Sequence, residues 1–299
     1  SRKGKLDKLA EKVAEHDKLV EAARAEIAKV DARIDAMRAK YAADPEFQKH
    51  EALLDNGIDL ARLTYPEVRT LRCQMQYIFQ DPYSSLNPRM TVANIIGEGL
   101  LAHKYCKKAN ERMHEEILQT MEDCGLAPYF LHRYPHQFSG GQRQRIGIAR
   151  SLAVHPKFVV CDEAVSALDV SIQSQIINLL QDLKEQQHLT YLFITHDLSV
   201  VKYISDRIGV MYLGNLVELA DSQEIFDHPM HPYTEALLES IPTTEEKRDL
   251  AVLEGDIPSP VNPPKGCKFH TRCKYCTEIC THVVPDWEEV TPNHFVACH

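Results

Sequence analysis

The chain has 299 residues, a net charge of −9 and 44% apolar residues, enough for a soluble core and one or two ordinary domains. The acidic balance argues against a generic nucleic-acid-binding protein, which would carry a basic surface. No apolar run approaches the roughly 20 residues of a membrane-spanning helix, and no secretory segment stands near the start. A cytosolic protein is therefore expected.

Residues 1–50 form a charged segment that is predicted to be a long helix. Apart from a break at His16, apolar or near-apolar residues recur at alternating intervals of three and four: Leu6, Leu9, Val13, Val20, Ala23, Ile27, Val30, Ile34, Met37 and Tyr41. This heptad pattern indicates an amphipathic helix with a coiled-coil face, and Asp44-Pro45 is expected to end it. Two alternatives stay open. The helix packs on its own domain or folds back as a hairpin, or it binds a partner.

The central part of the chain alternates short apolar runs with amphipathic stretches. Residues 157–162 and 191–195 are continuous apolar runs rich in β-branched and aromatic residues, which predicts two buried strands. Residues 170–187 between them have helical spacing, and a strand–helix–strand order indicates a parallel α/β sheet. Residues 207–219, which turn at Gly214-Asn215, are predicted to form a β-hairpin.

Polar residues follow both predicted strands and precede a predicted helix, positions that suit phosphate binding. Asp162 and Glu163 follow the first predicted strand and His196 follows the second, at the sheet edge where α/β folds bind ligands. Ser139–Gln142 precedes an amphipathic helix, whose N-terminus favours a phosphate. Each feature alone is more often structural, but together they indicate a nucleotide site. Three arginines of the same helix are expected to raise its positive potential: Arg143, Arg145 and Arg150.

The order of these motifs matches a known family. The resemblance rests on IFQDP with Gln80, FSGGQ at 138–142, KFVVCDE at 157–163, SALD at 166–169, His196, and HPMHPYTEALLESIP at 228–242. Over about residues 56–299 the chain resembles the ATP-binding subunit of an ABC-type importer of the oligopeptide/dipeptide branch. The resemblance implies an α/β, ABC-type P-loop ATPase fold with a helical subdomain at about 82–155.

Domain limits follow from the resemblance and from composition. The expected domains are a charged helical insertion at 1–50, an ATPase domain at 51–225, and the C-terminal extension of the branch at 226–299. Within the extension, HPMHPY at 228–233 is predicted to be a turn that caps a helix. The extension is rich in Pro, His and Cys, which indicates a small loop-rich module stabilised by something other than its own core.

The resemblance also implies roles for individual residues. Glu163 is the expected catalytic base, His196 the switch histidine, and Gln80 the Q-loop residue that senses Mg²⁺ and the γ-phosphate. Asp162 is expected to bind Mg²⁺. The signature and D-loop residues are expected at the nucleotide interface with a second subunit: Ser139, Gly140, Gly141, Gln142 and Asp169.

Partners and location follow from the same resemblance. It implies ATP and Mg²⁺ at a head-to-tail dimer with a second, identical or homologous ATPase subunit. It also implies two transmembrane permease subunits, an extracellular peptide-binding protein that acts indirectly, and a peripheral position on the cytoplasmic face of the membrane, with no nucleic acid. The alternative is a soluble or degenerate ABC protein that serves as a regulatory or interaction module and binds metal.

One motif of the family is missing from the sequence. A phosphate-binding loop reads G-x-x-x-x-G-K-[ST], and none of the 12 glycines fits, since the single Gly-Lys pair, Gly4-Lys5, is followed by Leu6. The sequence is therefore interpreted as N-terminally incomplete relative to the family, or as a degenerate member. By itself the chain is expected to be inactive.

Five of the nine cysteines crowd the C-terminal module. Cys267, Cys273, Cys280 and Cys298 supply four thiols whose spacing is not that of a paired CxxC zinc ribbon. The resemblance favours a [4Fe–4S] cluster on these four residues, with Zn²⁺ or free thiols as alternatives. Cys276 is a spare thiol, and the weaker candidate ligands are His270, His282 and His299.

Overall fold

The computed structural model describes residues 2–45, 47–48, 57, 59–106, 110–240, 255–256 and 258–299. The chain divides into two compact units, residues 1–63 and residues 64–299. The first unit holds helix α1 (Arg2–Tyr41) and a 3₁₀ turn at Leu60–Arg62. Because α1 is a single uninterrupted helix, the hairpin alternative is wrong for these residues. Its composition of Ala, Glu, Lys and Arg is that of good helix formers, and it ends three residues before Asp44.

The second unit carries two sheets and several helices. In chain order its elements are α2 (Tyr65–Gln74), β1 (Met75–Ile78), α3 (Val92–Ala102), α4 (Glu111–Asp123), α5 (Gly140–Leu152), β2 (Phe158–Asp162), α6 (Val170–Gln187), β3 (Thr190–Ile194), α7 (Leu198–Ile204), β4 (Arg207–Tyr212), β5 (Asn215–Asp221), α8 (Ser222–Asp227), α9 (Pro232–Glu239), α10 (Glu278–His282), β6 (Glu288–Thr291) and β7 (His294–Val296). No helix of the described residues is long and apolar enough to cross a bilayer.

The first sheet is parallel, with strand order β1-β2-β3. This confirms the predicted α/β class and both predicted strands, and α6 fills the predicted helical interval. The central strand β2 is buried, with Val159 and Cys161 both 0% exposed. The expectation that β3 is equally buried is wrong: Leu192 is 50% and Ile194 47% exposed. The reason is that β3 lies at an edge, and no described element covers the face that carries these two side chains.

The second sheet is antiparallel, with strand order β4-β5-β7-β6. Strands β4 and β5 form the predicted hairpin, whose turn places Leu213 and Gly214 at positive φ. Strand β7 pairs with β5 through Glu218 and Val296. The C-terminal module therefore shares a sheet with the hairpin, which its irregular sequence did not indicate.

Candidate functional site

Three polar side chains meet at the carboxyl ends of the three parallel strands. Gln80 follows β1, Glu163 follows β2 and His196 follows β3. Gln80 Nε2 donates to Glu163 Oε2 at 2.6 Å, and His196 Nδ1 lies 3.2 Å from Glu163 Oε1. Neighbouring parallel strands end at the same sheet edge, so the fold itself brings these residues together. The three residues predicted to be catalytic form one hydrogen-bonded group.

The backbone at Glu163 is held in an uncommon conformation. Its φ is 44°, in the left-handed region that few residues with a side chain adopt. The Glu163 amide donates to the Ile194 carbonyl at 2.9 Å, and both the amide and the hydroxyl of Ser166 donate to the Glu163 carbonyl. Such strain persists where the surroundings fix the backbone, as they often do at functional sites. Here it aims the carboxylate at Gln80 and His196.

Asp162, the expected Mg²⁺ ligand, has a partner that the sequence did not reveal. The Tyr77 hydroxyl on β1 donates to Asp162 Oδ2. This hydrogen bond raises the pKa of Tyr77, because the neighbouring carboxylate favours the protonated phenol. Asp162 Oδ1 has no hydrogen bond within the described part of the chain. One oxygen is thus held in place and the other is open to a cation.

The signature segment begins helix α5. Ser139 Oγ accepts from the Gln142 amide at 3.3 Å, and Gln142 Oε1 accepts from the Ser139 amide at 3.1 Å, a reciprocal capping box. Gly141 has a structural reason to be glycine, since a Cβ there would lie only 2.5 Å from Ile172 of α6. Close packing on α6 therefore fixes the signature beside Asp169, which is exposed at the start of α6.

Two arginines of α5 contact a backbone carbonyl and aromatic rings of this chain, which the sequence did not indicate. The Arg150 guanidinium donates to the Ser85 carbonyl and lies over the Phe79 ring, 5.6 Å from its centroid. Burial lowers the pKa of Arg150. Arg143 lies over the Tyr83 ring at 4.6 Å. Both side chains hold the segment around Gln80, so they are not simply a positive field for a nucleotide.

The C-terminal module brings the four predicted thiols to one place. Cys267, Cys273, Cys280 and Cys298 line a cavity of about 60 Å³, whereas the exposed Cys276 does not. His270 and His299 also line it; His282 does not. Within the described ranges, no three His, Cys, Asp or Glu side chains are grouped as ligands of one metal ion. The thiols surround a common space without converging on a single point.

The electrostatic environment of these thiols is uneven. Burial raises the pKa of the Cys267, Cys273 and Cys298 thiols. At Cys280 the pKa is lowered, because the Thr277 hydroxyl lies 3.3 Å from the sulfur and stabilises the thiolate. The four thiols are adjacent but their pKa values shift in different directions, and a bound metal would have to displace protons from the thiols whose pKa burial raises.

A buried carboxylate connects this module to the second sheet. Glu218 on β5 is 0% exposed and accepts from the Met230 amide at 2.7 Å, the His231 amide at 3.1 Å and His294 Nε2 at 2.8 Å. His231 Nδ1 accepts from the Tyr233 amide at 3.0 Å and so caps α9. This confirms the predicted capped turn at 228–233. Its function here is structural.

In comparisons with known proteins, the chain matches two family models. Residues 37–166 match the family model described as ABC transporter, and residues 217–280 match the model described as oligopeptide/dipeptide transporter, C-terminal region. The oligopeptide transport ATP-binding protein AppF of Bacillus subtilis is 52% identical over 253 residues, which cover 83% of this chain and 76% of that protein. The chain belongs to the ABC transporter family.

Two further similarities support membership of the ABC family. The oligopeptide transport ATP-binding protein OppF of Haemophilus influenzae is 47% identical, over 81% of this chain and 74% of that protein. A solved dimeric ATP-binding cassette in a post-hydrolysis state, with bound ADP and phosphate, is 27% identical with a TM-score of 0.50, over 56% of this chain and 72% of that one. ATP and Mg²⁺ are the ligands expected of an ABC ATPase, and the open oxygen of Asp162 fits the cation.

Proposed function

We propose that this chain is an ATP-hydrolysing subunit that energises a peptide importer. The observation that carries the proposal is the hydrogen-bonded group of Gln80, Glu163 and His196 at the ends of three adjacent parallel strands. It combines with two relatives that are named as oligopeptide transport ATP-binding proteins. These relatives favour the transport ATPase over a regulatory, metal-binding module.

In this proposal Glu163 is the general base. Gln80 and His196 each occupy one lone pair on a different carboxylate oxygen, and each oxygen keeps a second lone pair that can accept a proton from water. His196 Nδ1 faces the carboxylate, and Nε2 is the other ring nitrogen; it can donate to a phosphate oxygen when the ring carries both protons, since a neutral ring that donates from Nδ1 leaves Nε2 as an acceptor. Asp162 would hold Mg²⁺, which when bound neutralises charge on the phosphates.

The partner of the signature is a second ATPase subunit. The capped N-terminus of α5, with Ser139 exposed, is suited to phosphate. We propose that Ser139–Gln142 and Asp169 contact the nucleotide of that subunit in a head-to-tail dimer. The further partners proposed are two permease subunits and, indirectly, an extracellular peptide-binding protein. The subunit would lie peripherally on the cytoplasmic face of the membrane.

Reconstitution tests this function. The chain would be assembled in liposomes with permease subunits and a second ATPase subunit, and ATP-dependent uptake of labelled peptide would be measured. Because Ser139 acts on the nucleotide of the other subunit, Ser139→Arg should abolish uptake, whereas Ser174→Arg on the exposed face of α6 should leave it intact. Equal uptake with both variants would refute the proposed role of the signature.

ATP hydrolysis by the assembled transporter tests the proposed base. Glu163→Gln keeps the size of the side chain and a hydrogen-bond acceptor but removes the carboxylate. If this chain's own site contributes to turnover, ATP hydrolysis by the assembled transporter should fall roughly 100-fold or more, the typical effect of a general base. Glu185→Gln, in the last turns of α6, is the matched control. Unchanged hydrolysis with Glu163→Gln would assign all turnover to the other subunit.

We propose in addition that Cys267, Cys273, Cys280 and Cys298 hold a [4Fe–4S] cluster. A tetrahedral zinc ion with Zn–S bonds of about 2.3 Å needs its sulfurs roughly 3.8 Å apart. In a cluster each thiolate binds a different iron, so the sulfurs stand farther apart around a larger centre. Four thiols that line one cavity without converging on a point fit the second arrangement better.

Metal content tests this second proposal. Anaerobically purified protein should contain about four irons and four acid-labile sulfides per chain. Cys280→Ser should remove most of the iron, whereas Cys276→Ser, which changes the thiol outside the cavity, should retain it. Zinc in place of iron would support the alternative metal, and neither metal would leave free thiols.

A further inference from the structure

Helix α1 carries an apolar seam that is exposed from Val20 to Met37. Val20 is 48%, Ile27 59%, Val30 52%, Ile34 38% and Met37 51% exposed. An apolar stripe of this length on a soluble helix normally packs against a partner. The surface of the seam is not flat, because a hollow is lined by Ala23, Glu26, Ile27, Val30 and Asp31. Such a hollow is where a side chain of another helix can insert as a knob.

The charges beside the seam show which partner fits. With Val20, Ile27 and Ile34 at heptad position a, the residues at position e include Arg24 and Asp31, and those at g include Glu26 and Arg33. In a parallel pair of identical helices, each g residue lies near the e residue five positions later on the other helix. Glu26 would then face Asp31, which are like charges. A parallel dimer of α1 is disfavoured.

An antiparallel pair of the same helix brings opposite charges together. When Ile27 lies opposite Val30 of the second copy, Ala23 lies opposite Ile34 and Val20 opposite Met37, so every seam layer between Val20 and Met37 is apolar. In antiparallel pairs the e positions face e and the g positions face g. Arg24 then faces Asp31, and Glu26 faces Arg33. The two-fold axis repeats both pairs, so four opposite-charge contacts flank the seam.

The charges also fix the register. Sliding one helix by a heptad in one direction places Arg24 opposite Arg24 and Glu26 opposite Glu26. Sliding it the other way places Asp31 opposite Asp31 and Arg33 opposite Arg33. Both slipped registers bring like charges together, so the charges favour a single register, as they do in designed coiled coils.

We propose that α1 binds α1 of a second copy of this chain as an antiparallel coiled coil centred between Ala28 and Lys29. The small Ala23 layer accommodates the larger Ile34 of the other copy, which matches the hollow beside Ala23. The interface is formed by the first unit of the chain, whereas Gln80, Glu163 and His196 belong to the second. It does not depend on the transport function.

Sedimentation equilibrium of the full chain without nucleotide tests the proposal. The wild type should be a dimer whose dissociation constant rises with salt, since the flanking contacts are exposed ion pairs. Glu26→Arg should weaken the dimer about tenfold or more, because two attractive pairs become repulsive. Glu21→Arg, the same charge change away from the seam, should have little effect. The double variant Glu26→Arg/Arg33→Glu should restore the wild-type affinity.

Each outcome decides the question. Glu26→Arg would strengthen a parallel dimer, because it would then face Asp31, so a rise in affinity overturns the antiparallel arrangement. A dimer that is indifferent to Glu26→Arg and to Ile27→Asn uses another surface, and a monomer at all concentrations means that α1 contacts something else; both overturn the proposal. Circular dichroism of each variant checks that the helix content is unchanged.

Discussion

Gly266, next to the first cavity thiol, is a position where one added methyl group should strongly destabilise the fold. It has φ +67°, and a Cβ at this position would overlap the backbone carbonyl of Cys280 and the backbone around Thr281 and His282. The Cys267 amide donates to that same carbonyl at 2.8 Å. Gly266→Ala should therefore separate the two chain segments that bring Cys267 and Cys280 to the cavity.

The magnitude follows from two costs. The left-handed backbone costs a residue with a Cβ about 1–2 kcal/mol. Forcing an atom into backbone that cannot move aside costs roughly 1–3 kcal/mol more. Gly214 isolates the first cost, since it has φ +78° and nothing within 4 Å of a built Cβ. Gly266→Ala should thus lower the free energy of unfolding by about 2–5 kcal/mol, and Gly214→Ala by about 1–2 kcal/mol.

Urea unfolding of the full chain, followed by circular dichroism, measures both losses. Iron content after anaerobic purification provides a second readout through the proposed cluster: it should fall with Gly266→Ala and stay at the wild-type level with Gly214→Ala. If the two variants lose the same free energy within about 0.5 kcal/mol, the steric part of the reasoning is wrong. Normal iron with Gly266→Ala would show that the contact between Cys267 and Cys280 does not shape the cavity.

Three more perturbations have defined outcomes. Burial lowers the pKa of His231 from 6.5 to about 4, so between these pH values the unfolded chain binds a proton that the folded chain does not. Acidification from pH 6.5 to 4 should therefore lower the free energy of unfolding by about 3 kcal/mol. His231→Asn, which keeps an acceptor for the Tyr233 amide, should make the free energy of unfolding less dependent on pH in this range. Glu218→Gln should lose about 1–3 kcal/mol in urea unfolding, against almost nothing for the exposed Glu288→Gln. Gly147→Ala, in a helix interior with nothing within 4 Å, should raise the melting temperature, gaining about 0.5–1 kcal/mol; a lower melting temperature would contradict the open space.

Two members of the hydrogen-bonded group, Glu163 and His196, could be placed from the sequence because the strand topology brings them together. Glu163 and His196 follow strands that are recognisable from their apolar runs, and parallel strands joined by α6 must end at one sheet edge. Gln80 was assigned from the family motif and not from its strand, since β1 has only four residues. Tyr77 was missed because its contact with Asp162 depends on the register of that short strand. Nothing in the spacing of the two residues indicates the contact.

The join between the C-terminal module and the second sheet was beyond sequence reasoning for a different reason. Glu218 and His294 are 76 residues apart, and β7 has only three residues, too few to show an alternating pattern. A buried carboxylate is stable only with several donors. Those donors come from the turn at Met230 and His231 and from β7, so the need for them is evident only when the fold is known.

Helix α5 relates the two halves of the proposed nucleotide chemistry. In the proposed dimer its N-terminus presents the signature to a second subunit, while Arg143 and Arg150 hold the segment around Gln80 in this chain. Gln80 in turn is hydrogen bonded to Glu163. Because a helix of 13 residues moves as a unit, a shift of Ser139 towards the nucleotide of the other subunit must move these arginines as well. Arg150 is half-buried, which makes it costly to leave its acceptor behind, so the Gln80 segment would be drawn along. Packing within one chain would thereby link closure of the proposed dimer to the position of Gln80, Glu163 and His196.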